Sequence, residues 1–368
     1  MIYIIPVIIL FIGIINCDFN QRKGRVLWFV VYAVMSLLIG LRYKVGGDTY
    51  NYNNFFENSS DIYSWTPINL ALFEPGFSYL TSIVKTYSES IYVYQIVIIL
   101  IFNYLLFRFI RRNTEFKFSA LLLIYITIYI YFGTEILRES ISVGILLNAY
   151  DLIKEKRWII YTALVVLATS FHSSGLIGII FPFVAKLKFK YFLSYFIIWG
   201  LILIFIQTIM SYLSGFEILA KITRYSTHQY VGYLWSSFRL IYFGIIPLIF
   251  LSFFKKRNIT IKFEGIICFQ ILLSIGLFIV PIIFQRLINY TILFYLVALV
   301  NQTIPSIVRR IKLNKKTLVS QFSIFILIIT ILAHSSYYIH LDFYKRWYPY
   351  HSILDPVEES SRLKYVPI

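Results

Sequence analysis

Apolar and polar positions in this chain alternate in long blocks, not residue by residue. Hydrophobic runs near the length that crosses about 30 Å of hydrocarbon recur from one end to the other, separated by polar connections. Runs of that length predict membrane-spanning helices. Twelve are read, at 1–17, 26–41, 91–108, 118–134, 136–153, 158–171, 174–186, 191–213, 239–254, 264–283, 287–305 and 318–338. The expected fold is an all-α polytopic membrane protein, a single transmembrane domain over 1–368. Three larger segments, at about 42–90, 214–238 and 339–368, are expected on one face.

Composition agrees with this pattern. Of 368 residues, 59% are hydrophobic and 14% charged, whereas a soluble domain carries about a quarter charged residues. No polar stretch is long enough for a separate soluble domain. The net charge of +17 is explained by where the charges fall. Most basic residues lie in connections assigned to one side, at Arg22–Arg25, Arg108–Lys117, Lys154–Arg157, Lys186–Lys190, Lys255–Lys262 and Arg309–Lys316. The opposite side balances acid and base. This is the positive-inside pattern, and it turns both termini away from the cytoplasm. The basic surplus then needs no nucleic acid. Met1 to Ile15 has neither a basic start nor a small-residue cleavage site, so it reads as a retained span. Cys17 and Cys268 fall near cytoplasmic span ends, which speaks against a disulfide or a metal site. The 19% of aromatic residues suit lipid-facing and interfacial positions and are not in themselves evidence for sugar binding.

Chemistry gathers on the outer face. There is no Gly-rich phosphate loop followed by Lys-Ser/Thr, so no nucleotide cofactor is expected. Energy must come from an activated substrate or a gradient. Arg42, Lys44 and Asp48 begin the first outer segment, with Gly46-Gly47 allowing a tight turn between them. Glu135, Arg138, Glu139 and Ser142 recur at helical spacing and are expected on one face of the fifth span. His172 stands at the turn between spans six and seven. Arg286 is expected at the outer turn into span eleven, four residues before Tyr290, and Arg224 and Arg239 bracket the second outer segment. Charge set against hydrocarbon costs free energy unless something uses it. Several arginines suit a multiply charged oxyanion, because a guanidinium stays charged and fits phosphate with a planar fork. A polyprenyl diphosphate has such a head group, and histidine or aspartate beside it could deprotonate an attacking hydroxyl. Structural readings stand beside each of these. Arg138 could pair only with its glutamates, His172 could cap a helix, and Arg42 and Lys44 could snorkel from a helix end. Tyr50 and Tyr52 suit a sugar ring and an interfacial belt equally. No paired His or Asp-x-Asp arrangement suggests a metal.

At these residues the chain resembles the EpsG-like branch of bacterial polysaccharide polymerases, the Wzy-type O-antigen polymerases. The resemblance rests on Arg42 with Gly47-Asp48 and Tyr52, on Arg138, on Ala168-x-x-Phe-His172-Ser-Ser, on Arg286 and on Trp347-Tyr-Pro-Tyr350. It runs through the whole chain in order. Glu139 departs from the pattern, since such proteins often carry glutamine there. The resemblance implies an inner-membrane glycosyltransferase working on the periplasmic side. It would move a growing glycan from undecaprenyl diphosphate onto the non-reducing end of a lipid-linked repeat unit, inverting the anomeric carbon. Arg42, Arg138 and Arg286 would hold the diphosphate, with Lys44, Tyr50, Tyr52, Glu139, Arg224, Arg239 and Tyr290 lining the substrate. His172 or Asp48 would be the base. A flippase and a chain-length-regulating co-polymerase are implied partners, alongside membrane lipid.

Two other functions fit parts of the pattern. A flippase or transporter would suit the span count, but the polar residues gather on one face and do not line a path across the bilayer. A polyprenyl-phosphate-sugar-dependent glycosyltransferase would want an acidic pair after the second span, where Asp48 stands without one.

Overall fold

The computed structural model describes residues 2–64, 73–212, 233–314, 316–340 and 344–356. Among these the regular structure is helical, and β pairing is confined to an isolated bridge between Arg42 and Ser352. Six helices are long and apolar enough to cross a membrane, Ile91–Asn113, Lys117–Thr134, Phe189–Thr208, Trp235–Lys255, Pro281–Leu313 and Leu318–Ser336, and shorter apolar helices accompany them. The protein is a polytopic helical membrane protein. It divides into two compact units, one of residues 1–179 with 338–368, the other of residues 180–337.

The first unit contains α1 (Ile4–Gly13), α2 (Arg25–Gly40), α3 (Thr49–Asn58), α4 (Pro75–Tyr87), α5 (Ile91–Asn113), α6 (Lys117–Thr134), α7 (Leu137–Lys154) and α8 (Trp158–Phe171). Polar side chains join its apolar helices, as expected where lipid removes the hydrophobic drive for helices to associate. Asn103 on α5 donates to Ser36 Oγ on α2 at 2.8 Å and accepts from the Tyr129 hydroxyl on α6 at 3.0 Å, all three buried. α3 and α4 lie in the segment read from sequence as an outer loop. The buried residues of α3, Tyr52, Phe55 and Phe56, recur at helical spacing and stack on Phe73, Phe77 and Tyr94.

In the second unit, α9 (Phe192–Tyr212) exposes Leu193, Ile197, Leu201, Ile204 and Phe205 by more than half. Such a surface belongs against lipid. α10 (Trp235–Lys255) contains a π-helical turn at Ile241–Ile245, where Gln270 of α11 (Glu264–Ile275) donates to the Phe243 carbonyl at 3.0 Å. α12 (Pro281–Leu313) is buried all round from Ile288 to Val300, and α13 (Leu318–His340) follows. Segment 174–186, expected as one span, is instead a 3-10 helix, Ser173–Ile179, followed by a single α-helical turn, Phe181–Val184. Gly175, Gly178 and Pro182 work against a continuous α-helix over so few residues.

A buried carboxylate closes the end of the first unit opposite the site described below. Asp18, at the end of the π-helical extension of α1, accepts from Ser119 N at 2.7 Å and Ser119 Oγ at 2.8 Å, capping α6 from a distant part of the chain. Asp18→Ala would leave these buried donors unmet and is expected to cost about 1–3 kcal/mol. Asp18→Asn, which keeps one acceptor, is expected to cost less. Thermal unfolding of the detergent-purified variants checks both.

Candidate active site at the outer turns of the first unit

The chain leaves α2 through Leu41–Asp48, a segment held by main-chain and buried polar contacts. Gly46 adopts φ +109°, a conformation in which other residues are strained. A methyl group at Gly47 would stand 2.7 Å from Glu135 Oε2, so the loop can approach that carboxylate only as glycine. Arg42 is 1% exposed. Its Nη1 donates to the Ile39 carbonyl at 2.7 Å and its Nε to Val45 O at 3.1 Å. Burial pushes its guanidinium down to about 10, which still leaves it charged at neutral pH, and it lies in the field of Tyr3, Tyr350, Glu135 and Tyr52. The C-terminal tail pairs with the same segment. Tyr43 N donates to His351 O at 2.8 Å, Ile353 N to Leu41 O at 3.0 Å and Gly46 N to Arg346 O at 3.0 Å.

Glu135 joins tail and loop. Its Oε1 accepts from Gly47 N at 2.7 Å and from the Trp347 indole Nε1 at 3.0 Å, while Arg346 approaches Oε2 at 3.4 Å. Burial raises its carboxyl above the usual range, and the Gly47 N–H and the Arg346 charge offset only part of that rise.

A second constellation forms around Arg138, in the first turn of α7. Its guanidinium pairs with Glu74, hydrogen-bonds to Tyr52 and lies over the Phe73 ring at 3.9 Å. Glu74 directly precedes α4, whose first residue is Pro75, a placement preorganised for a helix start. Gly76 then lets α4 press on the end of α8, where a side chain would strike Ser170. That approach brings Glu74 Oε1 to the Ser173 N–H at 3.0 Å, in the turn that carries His172. Burial alone would raise the Glu74 carboxyl. The Arg138 charge and the Ser173 N–H outweigh it and hold the group below the usual carboxylate range, with His172 acting in the same direction. His172 is buried, and its Nδ1 accepts from Ser174 N at 3.3 Å. A ring whose Nδ1 accepts carries its proton on Nε2, so it offers a donor there. Tyr52 is buried between the two constellations and lies in the field of both Arg138 and Asp48. Burial pushes its phenol up to about 12.

The residues expected at the site separate into groups. Arg138, His172 and Tyr52 come together, and Asp48, half-buried just before α3, acts on Tyr52. Arg42 was expected to grip phosphate, but it is enclosed and committed to carbonyls. Glu135 was expected on the α7 face with Arg138 and Glu139. It lies instead ahead of that helix, because Ile136 at φ −120°, ψ 49° breaks the repeat and the Glu135 carboxylate is drawn to Gly47 and Trp347. Glu139 is buried in the first turn of α7, where the helix dipole favours its charge. Lys44 stands at φ +48° with its ammonium 5.5 Å from the Tyr43 ring, and Tyr50 is exposed. Arg239 within α10, and Arg286 and Tyr290 within α12, belong to the second unit. The helix break expected near Arg286 falls earlier, at Ile279–Val280, since Pro281 keeps Val280 out of helical angles, at φ −136° and ψ 82°, and starts α12. Arg224 lies outside the described residues. Among those described, no cluster of His, Cys, Asp and Glu could hold a metal ion. Glu74 and the Glu135–Trp347 contact escaped the sequence reading, although Glu74-Pro75-Gly76 carries a helix-start signal.

The Glu74–Arg138 pair has a pH signature. A carboxylate held below its ordinary pKa contributes stability at neutral pH that is lost as pH falls through the folded value. Glu74→Gln is therefore expected to lower the unfolding temperature in detergent at pH 7, with the gap to wild type closing below about pH 4. A gap constant across that range would remove the pair from the account.

No curated protein and no solved structure matches the chain. The model of the EpsG family matches residues 25–352, a stretch that takes in the Arg42–Asp48 turn, Glu74, Arg138, His172 and the tail through Ser352. The chain therefore belongs to the EpsG family, a Wzy-like family of polysaccharide-polymerase type.

Proposed function

We propose that this protein polymerises a bacterial surface polysaccharide on the periplasmic face of the inner membrane. It transfers the nascent glycan from undecaprenyl diphosphate onto the non-reducing end of a lipid-linked repeat unit, with inversion. The observation that carries this reading is the Arg138 cluster. A guanidinium about one-fifth exposed lies against an aromatic ring and pairs with Glu74, whose carboxylate also reaches the turn that carries His172. Family membership supports the reaction class.

The roles follow from the atoms. The acceptor hydroxyl oxygen attacks the anomeric carbon of the donor glycan. The bond from that carbon to the diphosphate oxygen breaks, and the electron pair leaves with the diphosphate. Arg138 takes the developing charge in place of Glu74, which occupies the same donors at rest, and His172 Nε2–H adds a second donor. Diphosphate is already a good leaving group, so neither residue has to protonate it. The acceptor proton passes to Asp48, the carboxylate that shares Tyr52 with Arg138. His172, a candidate base by sequence, is a donor in this arrangement because Ser174 N–H occupies its Nδ1. Arg42 positions the Asp48 turn and does not touch phosphate. A flippase that supplies repeat units and a co-polymerase that sets chain length complete the system.

Gel separation of surface glycolipid from cells carrying single variants tests this. Arg138→Ala, His172→Ala and Asp48→Asn are each expected to reduce polymer about 10²–10⁴-fold, collapsing the ladder to a single repeat unit that is still exported. Arg138→Lys is expected to fail as well, since an ammonium lacks the planar fork. Long polymer from both Arg138→Ala and His172→Ala would sink the assignment. Repeat units retained in the inner leaflet would point to a flippase instead.

A further inference from the structure

A cavity of about 320 Å³ opens in the first unit where the chain's first turn meets the tail, lined by Ile2 and Tyr3 on one side and by Tyr348, Pro349, Tyr350, Ser352 and Asp355 on the other. Its size falls at the lower end of the range for small-ligand sites. We infer that this cavity is a docking subsite for an uncharged sugar ring, and we assign to it the acceptor repeat unit. The assignment of that sugar as acceptor rests on the polymerase reading; the sugar site itself rests on the lining.

The lining matches the two surfaces of a pyranose. Sugar C–H faces pack on aromatic rings, and three tyrosines with a proline supply such faces. Two of the rings are held in place. Tyr3 OH donates to the Trp347 carbonyl and Tyr350 OH to the Leu38 carbonyl, both at 2.8 Å, and the rings meet edge to face at 5.4 Å. Rings already fixed in the free protein lose little entropy when a ligand arrives. Tyr348 is 60% exposed and can close over a bound ring.

Hydroxyls need acceptors and donors, and the rim provides the Asp355 carboxylate, whose side chain is 84% exposed, with the Ser352 hydroxyl next to it. Asp355 is the acidic residue among the described lining residues, and its Oδ2 lies 3.9 Å from His351 Nδ1. Its oxygens accept from sugar hydroxyls at the rim. The tail that lines the cavity also holds the catalytic turn, through the Arg42–Ser352 bridge, Gly46 N to Arg346 O, and Glu135 with Trp347. Sugar docking and the placement of Asp48 therefore depend on one strand of chain.

The test uses full-length protein in detergent and the lipid-free repeat-unit oligosaccharide released by mild acid from the producing strain's own lipid-linked intermediate. Binding is read by saturation-transfer NMR and by titration calorimetry. Wild type is expected to bind. Tyr348→Ala and Asp355→Asn, both changes at exposed side chains, are each expected to weaken binding about tenfold or more, and Tyr348→Phe far less. Arg138→Ala is expected to bind the oligosaccharide as wild type does while losing polymer in cells, which separates this site from the reaction. Absence of binding by wild type, or equal binding by the cavity variants, overturns the subsite and leaves the polymerase reading standing. Cavity-dependent binding together with repeat units retained in the inner leaflet on deletion would keep the sugar site and overturn the polymerase reading.

Discussion

A carboxylate shut away from water at a membrane boundary must find hydrogen-bond donors, and Glu135 finds them in parts of the chain far apart in sequence. Gly47 arrives from the first outer turn, Trp347 and Arg346 from the tail. Removing a partner from a buried charge costs about 3–5 kcal/mol, whereas a surface pair is worth about 0–1 kcal/mol. Arg157–Glu155, with both side chains about half exposed, belongs to the second kind. Glu135 belongs to the first, and its demand accounts for three features together: a glycine at 47, an indole N–H at 347 and a tail returned across the end of α2. The main-chain pairing of Tyr43 and Leu41 with His351 and Ile353 is possible only once the tail has been brought there.

The same physics sorts the arginines. Arg42 and Arg138 look alike in sequence, each a basic residue at the end of an apolar run. Arg42 is 1% exposed with its donors directed at carbonyls, so an incoming anion would have to break two good hydrogen bonds and open the loop to reach it. Arg138 keeps about a fifth of its side chain exposed, and its principal partner is another side chain. A carboxylate can be exchanged for a phosphate on the same donors without moving the backbone. Enclosure therefore makes Arg42 a tie, whereas Arg138, partly exposed and paired with a side chain, is the arginine the proposal assigns to phosphate.

Much of this was legible beforehand, and the failures have definite causes. Long apolar runs named the helices, because lipid leaves the backbone few alternatives. Arg138, His172 and Asp48 stood out as polar residues against hydrocarbon. Periodicity misplaced Glu135: the spacing to Arg138 and Glu139 is helical, but a single residue, Ile136, takes non-helical angles and turns the carboxylate the other way. Glu74 was hidden by its setting, a polar loop where one more acid attracts no notice. The helix signal in Glu74-Pro75-Gly76 and the buried spacing of Tyr52, Phe55 and Phe56 were present but overshadowed by the long runs around them. Contacts such as Trp347 with Glu135, 212 residues apart, have no local signature at all.

The histidine illustrates how far a residue's identity falls short of its role. His172 at an outer turn reads equally as base, donor or cap. What separates these is one main-chain hydrogen, the Ser174 N–H directed at Nδ1. On the proposed reading that contact occupies Nδ1 and makes the ring a donor through Nε2. In the proposed reaction the leaving group is a diphosphate, and an added donor near the departing oxygens lowers the barrier more usefully than a second base, because the charge that develops is negative. The base is needed on the acceptor's side, where Asp48 stands at the start of α3 in the loop that Glu135 and the tail hold fixed. The proposal thus puts donor and acceptor chemistry on different supports, the α7–α8 end and the Gly46–Asp48 turn, with Tyr52 buried and in the field of both Arg138 and Asp48.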